Sequence, residues 1–276
     1  MWLISTNSGL HSARPNKPRF RMQDAPAVFK KAGFEAMDIN FAATIYDGEY
    51  KHEPILDGDN YLAQAMEVKQ ACDENGLAMT VSHLPFYNYE MEDKEKLAFC
   101  NMMMERAIRA SAHVGVKYAV VHPHRCPAKH IKIERTVEIL RPFVELGRSL
   151  GVTLCVENMY TVTAEATRMI ADKLDCGICW DVGHANFGGH DQYAGIMHCG
   201  DRLKVLHLHD NNGAADLHIP AFQGNINWAE VMRALRDVKF EGELNFEVAV
   251  SRVPDELREP LYQYIAASGK LLREMK

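Results

Sequence analysis

One pattern of hydrophobic and polar positions recurs along the chain. An amphipathic stretch is followed by a glycine, then by a short apolar run, and then by a polar or ionisable residue. The pattern occurs six times, around Gly33, Gly76, Gly115, Gly151, Gly177 and Gly242. Glycine suits the left-handed position that ends a helix, and a continuous apolar run suits a strand buried on both faces of a parallel sheet. We therefore predict six helix–strand units, each with its glycine at the end of the helix.

Two further apolar runs bring the number of predicted strands to eight. They are WLISTN at the start of the chain and RLKVLHLHD, which has no preceding glycine. Helical patterns lie between the runs, and NWAEVMRALRDVKF begins with Asn227 and Glu230 at the spacing of a capping box. This alternation predicts a single (β/α)8 TIM barrel over residues 1–276, with a doubly wound open sheet as the alternative fold.

Two long stretches between predicted elements contain glycine and proline and are expected to be irregular. They are residues 42–58 and 211–226. Each follows a predicted strand, so each should lie over the carboxyl-terminal mouth of the barrel. Barrel enzymes place their active sites at that end, which makes both stretches candidates for contact with a substrate.

Composition narrows the classes of protein to consider. The chain has 276 residues, 47% hydrophobic and 25% charged, which are the proportions of an ordinary globular protein. Its formal net charge of -6 gives no overall attraction for a polyanion, so we expect no nucleic-acid partner. The first apolar run is too short for a signal peptide and no segment approaches a membrane span, so we expect a cytoplasmic protein with no membrane partner.

The seven cysteines are an odd number and are scattered along the chain, which favours reduced thiols over a disulfide framework. Cys176 and Cys179 form a C-x-x-C pair. Because this pair lies within an apolar run that is typical of a strand, we interpret both residues as core residues and not as a redox pair.

Residue types that bind metals follow nearly every predicted strand from the third onward. They are His83, His122, His124, Glu157, Asp181, His184, His207, His209, Asp210 and Glu247. The ends of barrel strands converge around one axis, so these side chains should form a cluster. A lone histidine there is more often structural, but buried carboxylates need a cation or a strong donor. We predict a divalent metal site, and its mixed oxygen and imidazole donors suit Mn²⁺, Zn²⁺, Co²⁺ or Mg²⁺.

These motifs resemble the xylose isomerase-like TIM-barrel superfamily, also called AP endonuclease family 2. That superfamily includes sugar isomerases, ketose 3-epimerases, inosose dehydratases and endonuclease IV. The resemblance covers nearly the whole chain, and its most specific segments are VENM, WDVGHANF, HLHDNNG, DLHIPAFQGNINW and ELNFEV. It implies that the metal ligands are Glu157, Asp181, His207 and Glu247. His207 is chosen over His209 because the family pattern has an acidic residue three positions beyond the ligand, here Asp210.

The resemblance also implies a divalent-metal-dependent isomerase or epimerase. The substrate would be a small sugar or sugar derivative, converted through a metal-stabilised enediolate with Glu157 and Glu247 as catalytic acid and base. Six more residues are expected to bind the substrate or additional metal: His83, His122, His184, His209, Asp216 and His218. The epimerase branch has a further glutamate where this chain has Thr163, which argues against ketohexose 3-epimerase activity in particular.

Three other functions remain open. The first is a lyase like inosose dehydratase, which would remove water from the same intermediate. The second is a three-zinc phosphodiester hydrolase like endonuclease IV, whose additional ligands match His83, His122, His184, Asp216 and His218. The third is a non-catalytic protein that binds a metal or a sugar. A homodimer is the default expectation for the assembly.

Overall fold

The computed structural model describes residues 1–12, 20–42, 45–46, 49–50, 55–56, 58–123, 132–250 and 253–275. His124 lies outside these ranges. The strands among the described residues are β1 (Ile4–Asn7), β2 (Ala36–Asn40), β3 (Ile45–Tyr46), β4 (Glu49–Tyr50), β5 (Val81–His83), β6 (Tyr118–Val121), β7 (Thr153–Glu157), β8 (Gly177–Asp181), β9 (Leu203–His207) and β10 (Leu244–Phe246). The helices are α1 (Gly9–Ser12), α2 (Ala25–Ala32), α3 (Tyr61–Glu74), α4 (Lys94–His113), α5 (Ile133–Ser149), α6 (Ala164–Leu174), α7 (Val182–Phe187), α8 (Gln192–Cys199), α9 (Trp228–Asp237) and α10 (Arg258–Glu274).

Eight strands pair side by side in the order β10, β1, β2, β5, β6, β7, β8 and β9, and every pair is parallel. A parallel bridge between Leu208 and Phe246 joins the two ends of this order. There, the Leu208 amide donates to the Asn245 carbonyl at 2.8 Å, and the Glu247 amide donates to the Leu208 carbonyl at 3.0 Å. The sheet therefore closes on itself, which confirms the predicted (β/α)8 barrel and excludes the open sheet.

Side-chain caps fix where several of the surrounding helices begin. The Asp93 carboxylate accepts hydrogen bonds from two amides in the first turn of α4. Thr163 Oγ1 accepts from the Ala166 amide at 3.2 Å at the start of α6, so the residue that differs from the epimerase branch caps a helix here. Asn227 Oδ1 accepts from the Glu230 amide at 3.3 Å, which confirms the predicted start of α9. Each cap satisfies a backbone donor that the helix itself leaves unpaired.

The recurring glycines do not all have the predicted role. Four of the six have the expected positive φ: Gly33, Gly76, Gly115 and Gly151. Before β8 and β10, however, the left-handed residues are Asp175 (φ 50°) and Lys239 (φ 57°). Gly177 instead begins β8, where a Cβ would lie 2.6 Å from Cys155 Sγ. A Cβ on Gly242 would lie 2.7 Å from a backbone carbonyl oxygen. These two glycines are needed for close packing, so the prediction was wrong for them.

The two stretches expected to be irregular differ from each other. Within residues 42–58, β3 and β4 form an antiparallel hairpin, so that expectation was wrong for this part of the stretch. Residues 211–226 contain no helix or strand, and their one β-bridge joins Ile219 to Asp210. This second stretch follows β9 at the carboxyl-terminal mouth, as predicted.

Apolar side chains fill both the space between barrel and helices and the lower part of the barrel interior. The lower interior layer consists of Val81, Val120, Cys155, Cys179 and Val205. Cys176 and Cys179 are buried free thiols, and burial raises the pKa of each to about 12. They are packed core residues, as predicted. In the described part of the chain, none of the helices is both long enough and apolar enough to cross a membrane.

Candidate metal centre

The upper part of the barrel interior carries ionisable side chains. These are His83, His122, Glu157, Asp181 and His207, and each lies two residues after a member of the apolar lower layer. Side chains two residues apart on a strand point to the same face, so the residues that continue the interior upward are these five. All five are buried, although each is charged or can become charged and they lie close to one another.

Four residues from the ends of β7, β8, β9 and β10 converge on one point. From His207 Nδ1, Glu157 Oε1 is 3.1 Å away, Glu247 Oε2 is 3.4 Å away and Asp181 Oδ2 is 3.8 Å away. Donor atoms from all four residues lie within 4.8 Å of one another. Three of these side chains are fully or almost fully buried, whereas Glu247 is 19% exposed. The group could hold a metal ion, with Glu247 on its open side.

Both carboxylate oxygens of Glu157 face imidazole rings. Oε2 lies 3.1 Å from His122 Nε2 and 3.5 Å from His83 Nε2, and Oε1 lies 3.3 Å from His184 Nδ1. Despite these contacts, Oε2 makes no hydrogen bond of normal geometry. Donor atoms of His83, Glu157 and His207 form a second group that could hold an ion. Glu157 therefore belongs to both groups.

A third group lies beside the first and includes two residues of the 211–226 stretch. Its members are His184, His209, Asp216 and His218. Asp216 Oδ2 lies 3.4 Å from His184 Nε2 and 3.3 Å from His218 Nε2. His209 Nε2 is closer to Asp181, at 3.0 Å from Oδ1, than to Asp216, at 3.8 Å. The rings of His209 and His218 stack with centroids 3.7 Å apart. His209 thus lies between the first and third groups.

The neighbouring carboxylates raise the pKa of two of the buried imidazoles, His207 and His184. Burial alone would lower the pKa of His207. Cys179, Glu247 and Glu157 raise it by more than burial lowers it, so the pKa lies well above its ordinary value. Burial likewise lowers the pKa of His184, and Asp181 and Asp216 raise it well above the ordinary value. A divalent cation would supply the same positive charge and leave these rings neutral and able to bind it.

The donor chemistry fits a divalent ion. Carboxylate oxygens and imidazole nitrogens suit Mn²⁺, Zn²⁺, Co²⁺ or Mg²⁺. Within the described ranges, two carboxylate oxygens of the donor groups, Glu157 Oε2 and Asp216 Oδ1, are buried without a hydrogen-bond partner. A buried acceptor without a donor is costly unless a cation faces it. Glu157, Asp181, His207 and Glu247 would hold the ion of the first group.

All ten residues predicted for the site lie in these three adjoining groups or contact them: Glu157, Asp181, His207, Glu247, His83, His122, His184, His209, Asp216 and His218. Their roles as ligands, catalysts or substrate-binding groups stay predictions. His207 Nδ1 faces three carboxylates of the first group, whereas His209 Nε2 contacts one of them, Asp181. The choice of His207 over His209 as the ligand stays a prediction.

Two residues at the site were not predicted. Asp38 on β2 is fully buried, and Asn245 Nδ2 donates to its Oδ2 at 3.2 Å. Burial raises the pKa of Asp38 to about 6, although His83 and His207 lower it. Asn158 Oδ1 accepts from the Asp181 amide at 2.6 Å, and its Nδ2 donates to the Asp181 carbonyl at 2.9 Å. The signals for them were a carboxylate inside the apolar run AMDIN and the asparagine next to Glu157.

Comparison with known proteins gives one matching family. The family model described as xylose isomerase-like TIM barrel matches residues 26–274. Uncharacterized protein MJ1311 of Methanocaldococcus jannaschii is 27% identical over 184 residues, which are 61% of this chain and 63% of that protein. The chain thus spans somewhat less than two thirds of that relative.

Two epimerases are also similar to this chain. The D-psicose 3-epimerase of Ruminiclostridium cellulolyticum is 25% identical over 203 residues, which are 67% of this chain and 68% of that enzyme. A solved L-ribulose 3-epimerase structure superposes with a TM-score of 0.76 at 17% identity, covering 99% of this chain and 95% of that one. The second likeness is one of fold.

Proposed function

The chain belongs to the xylose isomerase-like TIM barrel family, and from that premise we propose that it is a divalent-metal-dependent isomerase or epimerase of a small sugar. The observation that carries this proposal is the convergence of Glu157, Asp181, His207 and Glu247 at the mouth of the barrel. The epimerase relatives act on ketoses by name, so the substrate class we propose is a ketose or a ketose derivative.

The chemistry needs a group that acidifies the carbon next to a carbonyl and two groups that move its proton. An ion held by the four residues would polarise the substrate carbonyl. Glu247 is the accessible carboxylate of the group, and it would take or return a proton from the side of the site that faces solvent. Glu157, which enters from β7, would be its counterpart. When the proton is taken from C3 of a 2-ketose, returning it to the opposite face of C3 gives the epimer. When it is taken from C1, returning it to C2 gives the aldose, as the O1 hydroxyl loses its proton and O2 gains one.

The test is Glu247→Gln, assayed with a panel of ketoses, with and without phosphate groups, in Mn²⁺ and in Zn²⁺. We expect turnover of the best substrate to fall at least about a hundredfold, because one amide replaces both a ligand and a proton carrier. The matched control is Glu243→Gln, since Glu243 is a carboxylate that precedes the same strand at the opposite end of the barrel and belongs to none of the three donor groups. The proposal is wrong if Glu247→Gln leaves metal content and turnover unchanged.

Two related activities have distinct readouts in the same experiments. A dehydrated product would identify a lyase.

The two additional donor groups around Glu157 and Asp216 are the observation behind the second candidate, a multi-metal phosphodiester hydrolase. Elemental analysis separates it from the sugar enzyme, because about three zinc ions per chain would favour hydrolysis and about one ion would favour the isomerase or epimerase. The two epimerase relatives favour the latter.

A further inference from the structure

A set of asparagine side chains joins the 211–226 stretch, which carries Asp216 and His218 of the third donor group, to α7. Asn211, the first residue of the 211–226 stretch, is fully buried. Its Nδ2 donates to the Gly183 carbonyl at 2.7 Å, and its Oδ1 accepts from Asn186 Nδ2 at 2.7 Å and from the Gly213 amide at 2.9 Å. The side chain thus uses both amide atoms to join the stretch to α7, the helix that follows Asp181.

Asn225 completes the connection at the other end of the stretch. Asn186 Nδ2 also donates to Asn225 Oδ1 at 2.8 Å. The backbone amide of Asn225 donates to the backbone carbonyl of Asn211 at 2.9 Å. Asn225 Nδ2 donates to the Asn212 carbonyl at 3.1 Å. We call Asn186, Asn211 and Asn225 the asparagine clasp, because their contacts tie the two ends of the 211–226 stretch to each other and to α7.

Asp210 contacts the clasp and the start of α9. This buried carboxylate accepts from the Asn211 amide at 2.9 Å and from Trp228 Nε1 at 3.0 Å. The fit is close at Gly224, where a Cβ would lie 2.1 Å from the Asn211 carbonyl oxygen and 2.2 Å from Asp210 Oδ1. The base of the stretch therefore has little room to shift without losing several hydrogen bonds at once.

The stretch held by the clasp contains two residues in an unfavourable backbone conformation. His218 (φ 46°) and Phe222 (φ 71°) are both left-handed, a region that side chains with a Cβ rarely adopt. At His218 this conformation accompanies two contacts with the end of β10, since its carbonyl accepts from the Ala249 amide and its Nδ1 lies 2.8 Å from the Glu247 carbonyl oxygen. Such strain persists only where surrounding contacts enforce it.

We infer that the asparagine clasp holds the 211–226 stretch so that Asp216 and His218 face the site, which makes Asn211 a positioning residue. Among the described residues, the Asn211 side chain hydrogen-bonds to neither Asp216 nor His218. It acts through the path of the backbone, by fixing the ends between which His218 takes its strained conformation. The kinetic form of this inference rests on the proposed function, with Asp216 and His218 as groups that bind the sugar.

The kinetic test compares Asn211→Ala with Asn212→Ala. Asn212 is the neighbouring residue, and its exposed side chain accepts only from the Ala214 amide at 3.0 Å. We expect Asn211→Ala to raise KM about tenfold with kcat changed less than about threefold, because misplaced binding groups weaken substrate and transition state alike. Asn212→Ala should leave both constants within about twofold. A fall in kcat at constant KM would overturn the inference.

A double variant tests whether Asn211 acts through the stretch. We expect Asn211→Ala combined with His218→Ala to raise KM little more than His218→Ala alone, because residues that act through one another are not additive. Effects that multiply would overturn the inference. Asn186→Ala removes the same contact from the α7 side and should reproduce the rise in KM, which guards against an Asn211 variant that does not fold.

An NMR measurement works without any substrate. The imidazole nitrogen signals of His218 in metal-free protein should shift in Asn211→Ala and remain in place in Asn212→Ala. Unchanged His218 signals in Asn211→Ala would overturn the clasp. If the unmodified protein turns over no sugar while the His218 signals shift as expected, the proposed function fails and the clasp survives.

Discussion

The barrel interior contains two layers that share the same strands and the same inward direction but differ in chemistry. The lower layer, formed by valines and cysteines of β5 to β9, is apolar and at most 3% exposed. The upper layer begins two residues later on each of these strands and consists of histidines and carboxylates that are also buried. Position along the strand, and not burial, separates the two.

The energetic consequences of the two layers are opposite. Burial of the lower side chains stabilises the barrel with no further partner, because apolar surface leaves water and packs closely. Burial of Glu157 and Asp181 costs free energy that only hydrogen bonds, protonated imidazoles or a cation can offset. A chain selected only for stability would continue the lower layer upward. The upper layer is therefore best explained by what it binds.

The variant Glu157→Gln is the strongest test of this difference between the two layers, and we expect it to have the largest effect. Glu157 contacts His83, His122, His184 and His207. Its negative charge therefore acts on each donor group that these histidines belong to or adjoin. Affinity for the ion of the first group should fall at least about a hundredfold, and kcat/KM about a thousandfold. Calorimetric titration of metal-free protein with Mn²⁺ or Zn²⁺ measures the first effect and steady-state kinetics the second.

The control for Glu157→Gln lies on the same strand in the other layer. Cys155→Ala removes a buried thiol two residues before Glu157 and leaves every donor atom in place. We expect metal affinity within about twofold of the unmodified protein for this variant. Equal metal affinities for Glu157→Gln and the unmodified protein would contradict the distinction between the layers.

The sequence was sufficient to predict the upper layer on the strands themselves. Side chains alternate along a strand and barrel closure brings strand ends together, so Glu157, Asp181 and His207 could be placed near one another without coordinates. The predicted helix-ending role was wrong for Gly177 and Gly242. At these two positions a Cβ would collide with atoms of a neighbouring strand or loop, and the local sequence does not show which atoms lie there.

The parts beyond the strand ends were less predictable. The stack of His209 on His218 depends on the left-handed backbone at His218, which no local sequence signal required. The hairpin of β3 and β4 has two residues in each strand, too few to show a period. Asp38 was missed because one carboxylate within an apolar run gives no indication of its partner Asn245, which lies far away in the chain.

The pH dependence of stability tests the buried charges of the site. We expect it to have an effect of intermediate size on the free energy of unfolding. Burial alone would lower the pKa of His218. Asp216 raises it by more than burial lowers it, so the pKa is about 9 in place of the ordinary 6.5. Protonated His218 therefore stabilises metal-free protein fully below about pH 6.5, and this stabilisation is lost as the pH rises through about 9. We expect the free energy of unfolding to fall by about 3 kcal/mol from this source.

Urea unfolding at pH 6, 8 and 10 after removal of divalent ions measures this dependence. Asp216→Asn should flatten it, because the neutral amide no longer favours the protonated imidazole. The carboxylates of the site also raise the pKa of His83, His184 and His207, so the informative quantity is the difference between the variant and the unmodified protein. The assignment to Asp216 and His218 is wrong if the two proteins lose the same free energy between pH 6 and pH 10.

The smallest expected effect on the site comes from Val205→Ala in the lower layer. Val205 is 2% exposed, and two buried methyl groups are replaced by a cavity, so the free energy of unfolding should fall by about 2 kcal/mol. Metal affinity should stay within about twofold, because His207 is held by the pairing of β9 with β8 and by its own contacts with Glu157 and Glu247. Urea unfolding and metal titration of the same preparation measure both quantities. A tenfold loss of metal affinity would mean that the packing of the lower layer sets the ligand geometry above it, and the two layers would then have to be treated as one unit.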